Sequence, residues 1–178
     1  MVVQTASVSL AEEHEAYQEH DLADGFSAAI RRETPRLLAI AHSILDDAGA
    51  AEDAVQEALL LAWRSWDRLR DPSRRTAWLV RICVRQALRT RRNRLARLRL
   101  EAPADTDVAE LPAHLAESPV DWPAAWRAFS PGQRAVLTLH YHHGYSLDEC
   151  AAAMGCRPGT VRRHLHRALE KLRKEVTT

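Results

Sequence analysis

Glycine and aromatic residues are scarce in this chain, with six glycines in 178 residues and 6% aromatics. A β-sandwich or barrel, which needs many glycine-bearing turns, is thereby excluded. Cysteine is sparse too: Cys83, Cys150 and Cys156 are odd in number and widely spaced. That excludes a disulfide scaffold and suits a reducing compartment. Uncharged apolar runs, such as residues 58–63, are far too short to cross a bilayer. The first ten residues lack the basic start and apolar stretch of a secretory signal. A soluble cytoplasmic chain with no membrane partner is therefore expected.

Lysine and arginine are missing from two whole stretches, and this says more than the net charge of +1. Residues 1–25 carry six acids and no Lys or Arg, and residues 101–125 again carry six acids and no base. Between them, residues 26–100 hold sixteen bases against eight acids, and residues 126–178 hold nine against four. Two basic units are thus preceded by one acidic stretch and separated by another. Such segregation points to polyanionic partners. Residues 1–25 are expected to be a disordered acidic tail. Residues 101–121, with Pro103, Pro112 and Pro119, are expected to be a flexible acidic linker. That leaves units at 26–100 and 122–176.

Apolar periodicity makes both units all-α. In the first, Leu37, Leu38, Ile40, Ala41, Ile44 and Leu45 recur at helical spacing. Pro35 either opens this helix behind a Thr34 cap or kinks a longer one starting near Phe26. A second helix is predicted over 51–66, with Val55, Leu59, Ala62, Trp63 and Trp66 inward. A third runs from about Arg75 into the Arg90s, with Trp78, Leu79, Ile82, Cys83 and Leu88 inward. Three helices with short connections suit a small bundle.

In the second unit Trp122, Trp126 and Phe129 form a short apolar face, and 130–132 is a turn or helix start. Ser146 and Glu149 have capping-box spacing. Gly155-Cys156-Arg157-Pro158 then separates two helices, the second dense in bases. That is a helix-turn-helix pattern, whose second helix enters the major groove. Arg162 and Arg163 stand near its N-terminus, where a guanidinium can bond guanine O6 and N7 together. Arg167 and Lys171 lie one and two turns on and better suit phosphate.

Two further constellations carry chemistry. Arg81, Arg85, Arg89 and Arg92 recur at three- and four-residue spacing, a stripe able to track phosphates. Glu52, Asp53, Gln56 and Glu57 crowd the start of the second helix. Acids there favour the helix dipole, which leaves Gln56 unexplained. A metal or catalytic site would need ligands converging from elsewhere, and only His42 is near in sequence. His140, His142, His143, His164 and His166 match no zinc-finger spacing. No phosphate loop or nucleophile–base pair appears, so no metal, cofactor or enzyme activity is expected.

Taken together, these segments resemble a known family. Residues 51–59 (Ala-Glu-Asp-Ala-Val-Gln-Glu-Ala-Leu), then Ala62-Trp63 and Ala77-Trp78-Leu79, are similar to domain two of the extracytoplasmic-function (ECF, group IV) sigma factors of bacterial RNA polymerase. Residues 129–137 (Phe-Ser-Pro-Gly-Gln-Arg-Ala-Val-Leu), then Gly159-Thr160-Val161 and residues 165–169, are similar to domain four. The resemblance spans about residues 26–175.

It implies a sigma factor of the sigma-70 family directing promoter recognition, melting and initiation. Asp53, Gln56 and Glu57 would face the clamp helices of the largest core polymerase subunit, and the second unit would meet the beta flap. Arg68, Arg70, Arg74, Arg75, Arg81, Arg85 and Arg89 would hold the melted minus-ten strand. Thr160, Arg162, Arg163, His166, Arg167 and Lys171 would meet duplex minus-thirty-five DNA. An inhibitory anti-sigma factor is a further expected partner. The alternative is a free-standing helix-turn-helix regulator that never binds polymerase. Two positions depart from the family: Val80 replaces a usual aromatic, and Arg85 replaces an Asn that often lines the flipped-base pocket.

Overall fold

A computed structural model describes the backbone of residues 3–69, 71–101 and 122–177, and the side chains of 23–69, 71–96 and 125–174. Among the described residues every regular element is helical. Helices α1 (Val3–Ile44), α2 (Ala48–Trp63) and α3 (Arg75–Glu101) build the first unit. Helices α4 (Trp122–Ala128), α5 (Pro131–Leu137), α6 (Leu147–Met154) and α7 (Pro158–Thr177) build the second. Much of the expected linker, residues 102–121, lies outside the described residues.

Pro35 sits inside α1, so the longer helix is the one that forms. Thr34 Oγ1 donates to the Ile30 carbonyl at 2.8 Å instead of capping a new helix. The backbone of α1 also takes in residues 3–25, where the sequence suggested a tail without structure. That stretch has no proline, and no glycine before Gly25, while Ala and Glu are frequent, so nothing local breaks a helix.

Helix α2 starts three residues earlier than the periodicity suggested. Asp47 is its N-cap and takes the Ala50 N–H at 2.9 Å. That bond and the Arg94 guanidinium hold the Asp47 carboxyl below its ordinary pKa. Ala51, Ala54, Val55, Ala58 and Ala62 form the buried ridge of α2, small enough for α1 and α3 to pack closely. Trp66 is buried in a 3-10 turn, with the Phe26 ring 5.0 Å away and nearly perpendicular. Trp63, expected inward, is 47% exposed and rests on Phe26 at 4.9 Å. Leu37, Ile40, Ile44, Leu79, Val80, Cys83, Val84 and Ala87 complete the core.

In the second unit capping fixes where helices begin. Ser130 and Gln133 form a reciprocal capping box ahead of α5, with Pro131 in its first turn. Ser146 and Glu149 do the same for α6. Helix α6 ends at Gly155, whose φ of 68° lies in the left-handed region that glycine enters at least cost. Between α5 and α6 the chain widens into a π-helical segment, Thr138–His142. Within that segment Tyr141 faces outward, 62% exposed.

The two units are not separate beads. Ala135, Val136 and Leu139 of the second unit, with Cys150, Ala151, Ala153 and Val161, join the same buried cluster as the core of α1 to α3. A smaller cluster of Phe129, Leu137 and Ala168 lies under Trp126, Leu165 and Leu172.

Candidate nucleic-acid and protein interface

Helix α2 sorts its residues by period. The alanine ridge faces the core, so Asp53, Gln56 and Glu57 fall on the opposite side, all exposed. Leu60 follows one turn later and is 55% exposed. This face therefore presents two carboxylates, an amide and an apolar side chain to solvent. The acidic spacing was legible in the sequence; Leu60 was not, because the run 59–61 is Leu-Leu-Leu and only the fold selects which one faces out.

The arginines of the first unit divide into several environments. Arg81 and Arg89 are exposed on α3, and Arg68 is exposed in the 3-10 turn. Arg74 pairs with Asp71 at 3.3 Å, in the loop where Asp71 Oδ1 also accepts from Ser73. Those bonds hold the Asp71 carboxyl below its usual range. Arg75 is not a free cation: its guanidinium lies 4.7 Å from the Trp66 ring centroid. Arg70 lies outside the described residues. Arg85 reaches across to the second unit, where Nη2 donates to the Ala152 carbonyl at 3.0 Å.

Helix α7 separates its faces cleanly. Val161 and Ala168 are buried, whereas Arg162, Arg163, His166 and Arg167 are exposed and Thr160 is half-buried at its start. His166 Nδ1 lies 3.4 Å from Glu170 Oε2. Lys171 is exposed as well, and its ammonium donates to the Ala128 carbonyl, tying α7 to α4. His164 turns inward, and its burial, with Arg167 and Arg163 close by, lowers its pKa.

One cluster escaped the sequence reading. Arg134 is among the most buried side chains, at 1% exposure. Its guanidinium donates to the carbonyls of Trp126 (2.9 Å) and Arg127 (3.1 Å) and to Asp46. Asp46 also pairs with Arg91 of α3 at 2.6 Å. Burial lowers the Arg134 pKa, an effect that Asp46 opposes. Nothing in the local sequence marks these residues, since they lie 88 positions apart.

Among the described residues no group of three or more His, Cys, Asp or Glu side chains could hold a metal ion. Burial pushes the Cys83 thiol up to about 12 and the Cys150 thiol up to about 11. Neither is a nucleophile near neutral pH. No helix among the described residues is long and apolar enough to cross a membrane.

Comparison with known proteins agrees with this division. Residues 29–97 match the model of Sigma-70 region 2, and residues 127–172 match that of Sigma-70 region 4. The chain is 31% identical over 162 residues to the RNA polymerase sigma-E factor of Streptomyces coelicolor, covering 85% of each. It is 33% identical over 135 residues to the ECF RNA polymerase sigma factor SigL of Mycobacterium tuberculosis, covering 71% of this chain and 75% of that one. Among solved structures it resembles the sigma factor RpoE in complex with the anti-sigma factor NepR from Bartonella quintana. There the TM-score is 0.69 at 25% identity, with 86% of this chain and 98% of that one covered. CnrH in complex with the cytosolic domain of CnrY gives a TM-score of 0.59 at 25% identity, covering 87% and 89%.

Proposed function

The chain belongs to the sigma-70 family of RNA polymerase sigma factors, and from that premise we propose how its own residues divide the work. It is an ECF-type specificity subunit that directs transcription initiation at selected promoters. The polymerase performs the chemistry, so this chain acts in the cytoplasm as a positioning subunit and not as an enzyme. The functional units are residues 26–100 and 122–176, joined by the acidic linker 101–121.

Asp53, Gln56 and Glu57 dock on the clamp helices of the largest core subunit, with Leu60 as an apolar anchor beside them. The second unit meets the beta flap. Arg68, Arg70, Arg74, Arg81, Arg85 and Arg89 follow the backbone of the melted minus-ten strand. Arg75, stacked on Trp66, holds the shape of the loop that carries Arg68, Arg70 and Arg74. Arg162 and Arg163 read base edges of the minus-thirty-five duplex, while Thr160, His166 and Arg167 set the register through the backbone. Of the two solved relatives named above, one was captured with the anti-sigma factor NepR and the other with the cytosolic domain of CnrY. An anti-sigma factor covering these same faces fits this chain too.

The observation that carries the reading is the separation of faces. The acids of α2 point away from the core, and the exposed bases of α7 lie on another helix. A protein that only bound DNA would have no use for the acidic face. The test is to substitute Asp53→Ala with Gln56→Ala and measure two affinities. Association with core polymerase should fall by at least about 2 kcal/mol, the scale of an interface hot spot. Binding to minus-thirty-five duplex by the same variant should hold. Unchanged core association would instead favour a free-standing regulator.

A further inference from the structure

Helix α3 sorts its arginines into two groups. Arg91 pairs with Asp46 at 2.6 Å and Arg94 with Asp47 at 2.8 Å, so one side is neutralised by the α1–α2 connection. Arg85, Arg89 and Arg92 recur at i, i+4 and i+7 and share another side. Among the described residues none of these three has a carboxylate partner. Like charges at that spacing weaken a helix, and the described fold supplies no acid to offset them. They line a cleft of 520 Å³ whose far wall is Met154 and Gly155, at the end of α6. No acidic side chain among the described residues lines it.

Two features set this cleft apart from a merely basic surface. Arg85 is held in place: Nη2 donates to the Ala152 carbonyl at 3.0 Å. A Cβ on Gly155 would come within 3.1 Å of Arg85 Nε, so the guanidinium rests against a turn that has no side chain. A guanidinium carries five N–H donors, and most of these remain for a ligand. Fixing the group beforehand lowers the entropic cost of binding. Gln86 is the second feature. It is only 8% exposed and lines the same cleft, yet its amide makes no hydrogen bond to another described residue. Burying an amide without a partner is costly, and an anionic oxygen in the cleft would receive its N–H.

We propose that this cleft binds a compact oligophosphate, with Arg85, Arg89 and Arg92 on the phosphate oxygens and the Gln86 amide donating beside them. The volume lies within the roughly 300–1,000 Å³ usual for small-ligand sites. Guanidinium forks match phosphate oxygens in geometry and charge. A single tetrahedral anion is short for side chains set along about 10 Å of helix, whereas a linked di- or triphosphate suits that length. Leu88 and Met154 add an apolar shelf on which the base of a nucleoside polyphosphate would rest. Binding needs nothing from polymerase, so the site stands apart from the sigma-factor reading. Under that reading ligand and melted strand exclude each other, since both take Arg85 and Arg89.

The experiment is calorimetric titration of the full chain, in magnesium-free buffer, with sodium tripolyphosphate, ATP and sodium sulfate. Tripolyphosphate should bind one to one, and sulfate at least ~10-fold more weakly, the scale of one lost charged hydrogen bond. ATP binding more tightly than tripolyphosphate would identify a nucleotide as the ligand. Equal affinity would identify the phosphate chain alone, and either result supports the site. Arg92→Ala should weaken tripolyphosphate by ~10-fold. Gln86→Leu, which keeps all three cations, should weaken it several-fold. Met154→Glu, which sets a carboxylate in the far wall, should abolish binding, while Met154→Leu should retain it. Thermal unfolding checks that each variant folds. Absence of tripolyphosphate binding tighter than ~1 mM overturns the proposal. So does sulfate binding as well as tripolyphosphate. Full binding by both Gln86→Leu and Met154→Glu overturns it too, by placing the anion on some other basic face.

Discussion

Gly132 and His164 occupy each other's space: a Cβ built on Gly132 would stand 2.8 Å from the Cε1 and Nε2 atoms of the His164 ring. The imidazole thus lies flush on the backbone of α5, and through it α7 is held at a fixed height over α5. A recognition helix is useful only when its exposed arginines are presented at a set angle, so this contact bears on DNA reading as well as stability.

Gly132→Ala should therefore cost about 1 kcal/mol, within the 1–3 kcal/mol range for overpacking, since the ring end can swing partly aside. His164→Ala in the same chain should recover most of that loss. A double-mutant cycle by urea unfolding measures the coupling. Additive effects would mean the two residues do not meet.

Acid should weaken the second unit. His164 is lowered by burial and by Arg167 and Arg163, and His143 is lowered by burial and by His142 and Arg36. A histidine with a folded-state pKa below its unfolded value favours folding fully above about pH 6.5, and that contribution fades as pH falls toward the folded value. The unfolding midpoint should decline from pH 7 to 5. In His164→Gln the decline should be shallower, with the remainder owed to His143. A flat profile in the unaltered chain would contradict the buried, neutral imidazole.

Arg162→Ala and Arg163→Ala should each relax specificity at one promoter position by roughly 1–3 kcal/mol if the guanidinium is bidentate to guanine. Binding across a panel of singly mutated minus-thirty-five duplexes checks this. Uniform weakening over the panel, with a shallower salt dependence, would place them on phosphate.

Thiol reactivity should follow burial. Cys156 is half-exposed while Cys83 and Cys150 are buried. Alkylation of the native chain at pH 8 should mark Cys156 alone, with the other two reacting only on unfolding. Mass spectrometry showing early modification of Cys150 would mean that α6 opens readily.

Ser146→Ala should destabilise the helix-turn-helix by about 1 kcal/mol, because it removes the acceptor for the Glu149 N–H, now at 3.2 Å. Thermal unfolding of the full chain reads the loss.

Short-range patterns were the part of this protein that could be deduced from its residues in order. The Ser146–Glu149 box, the left-handed turn at Gly155, the stripe of α7 and the acidic start of α2 all depend on neighbours within four or so positions. Helical geometry turns such spacings into faces directly. Pro35 shows the limit of local rules: whether it opens a helix or bends one depends on whether the residues before it also pack, and Phe26 and Ala29 do. What lay beyond reach were relations between distant positions. Asp46 with Arg134, Arg85 with Ala152, the outward turn of Leu60 and Trp63, and the merging of two cores each depend on how whole helices seat against one another. A charged side chain has the same letter whether it is solvated or sealed. Its energy is set by the dielectric and the partner that folding supplies, and those come from another part of the chain.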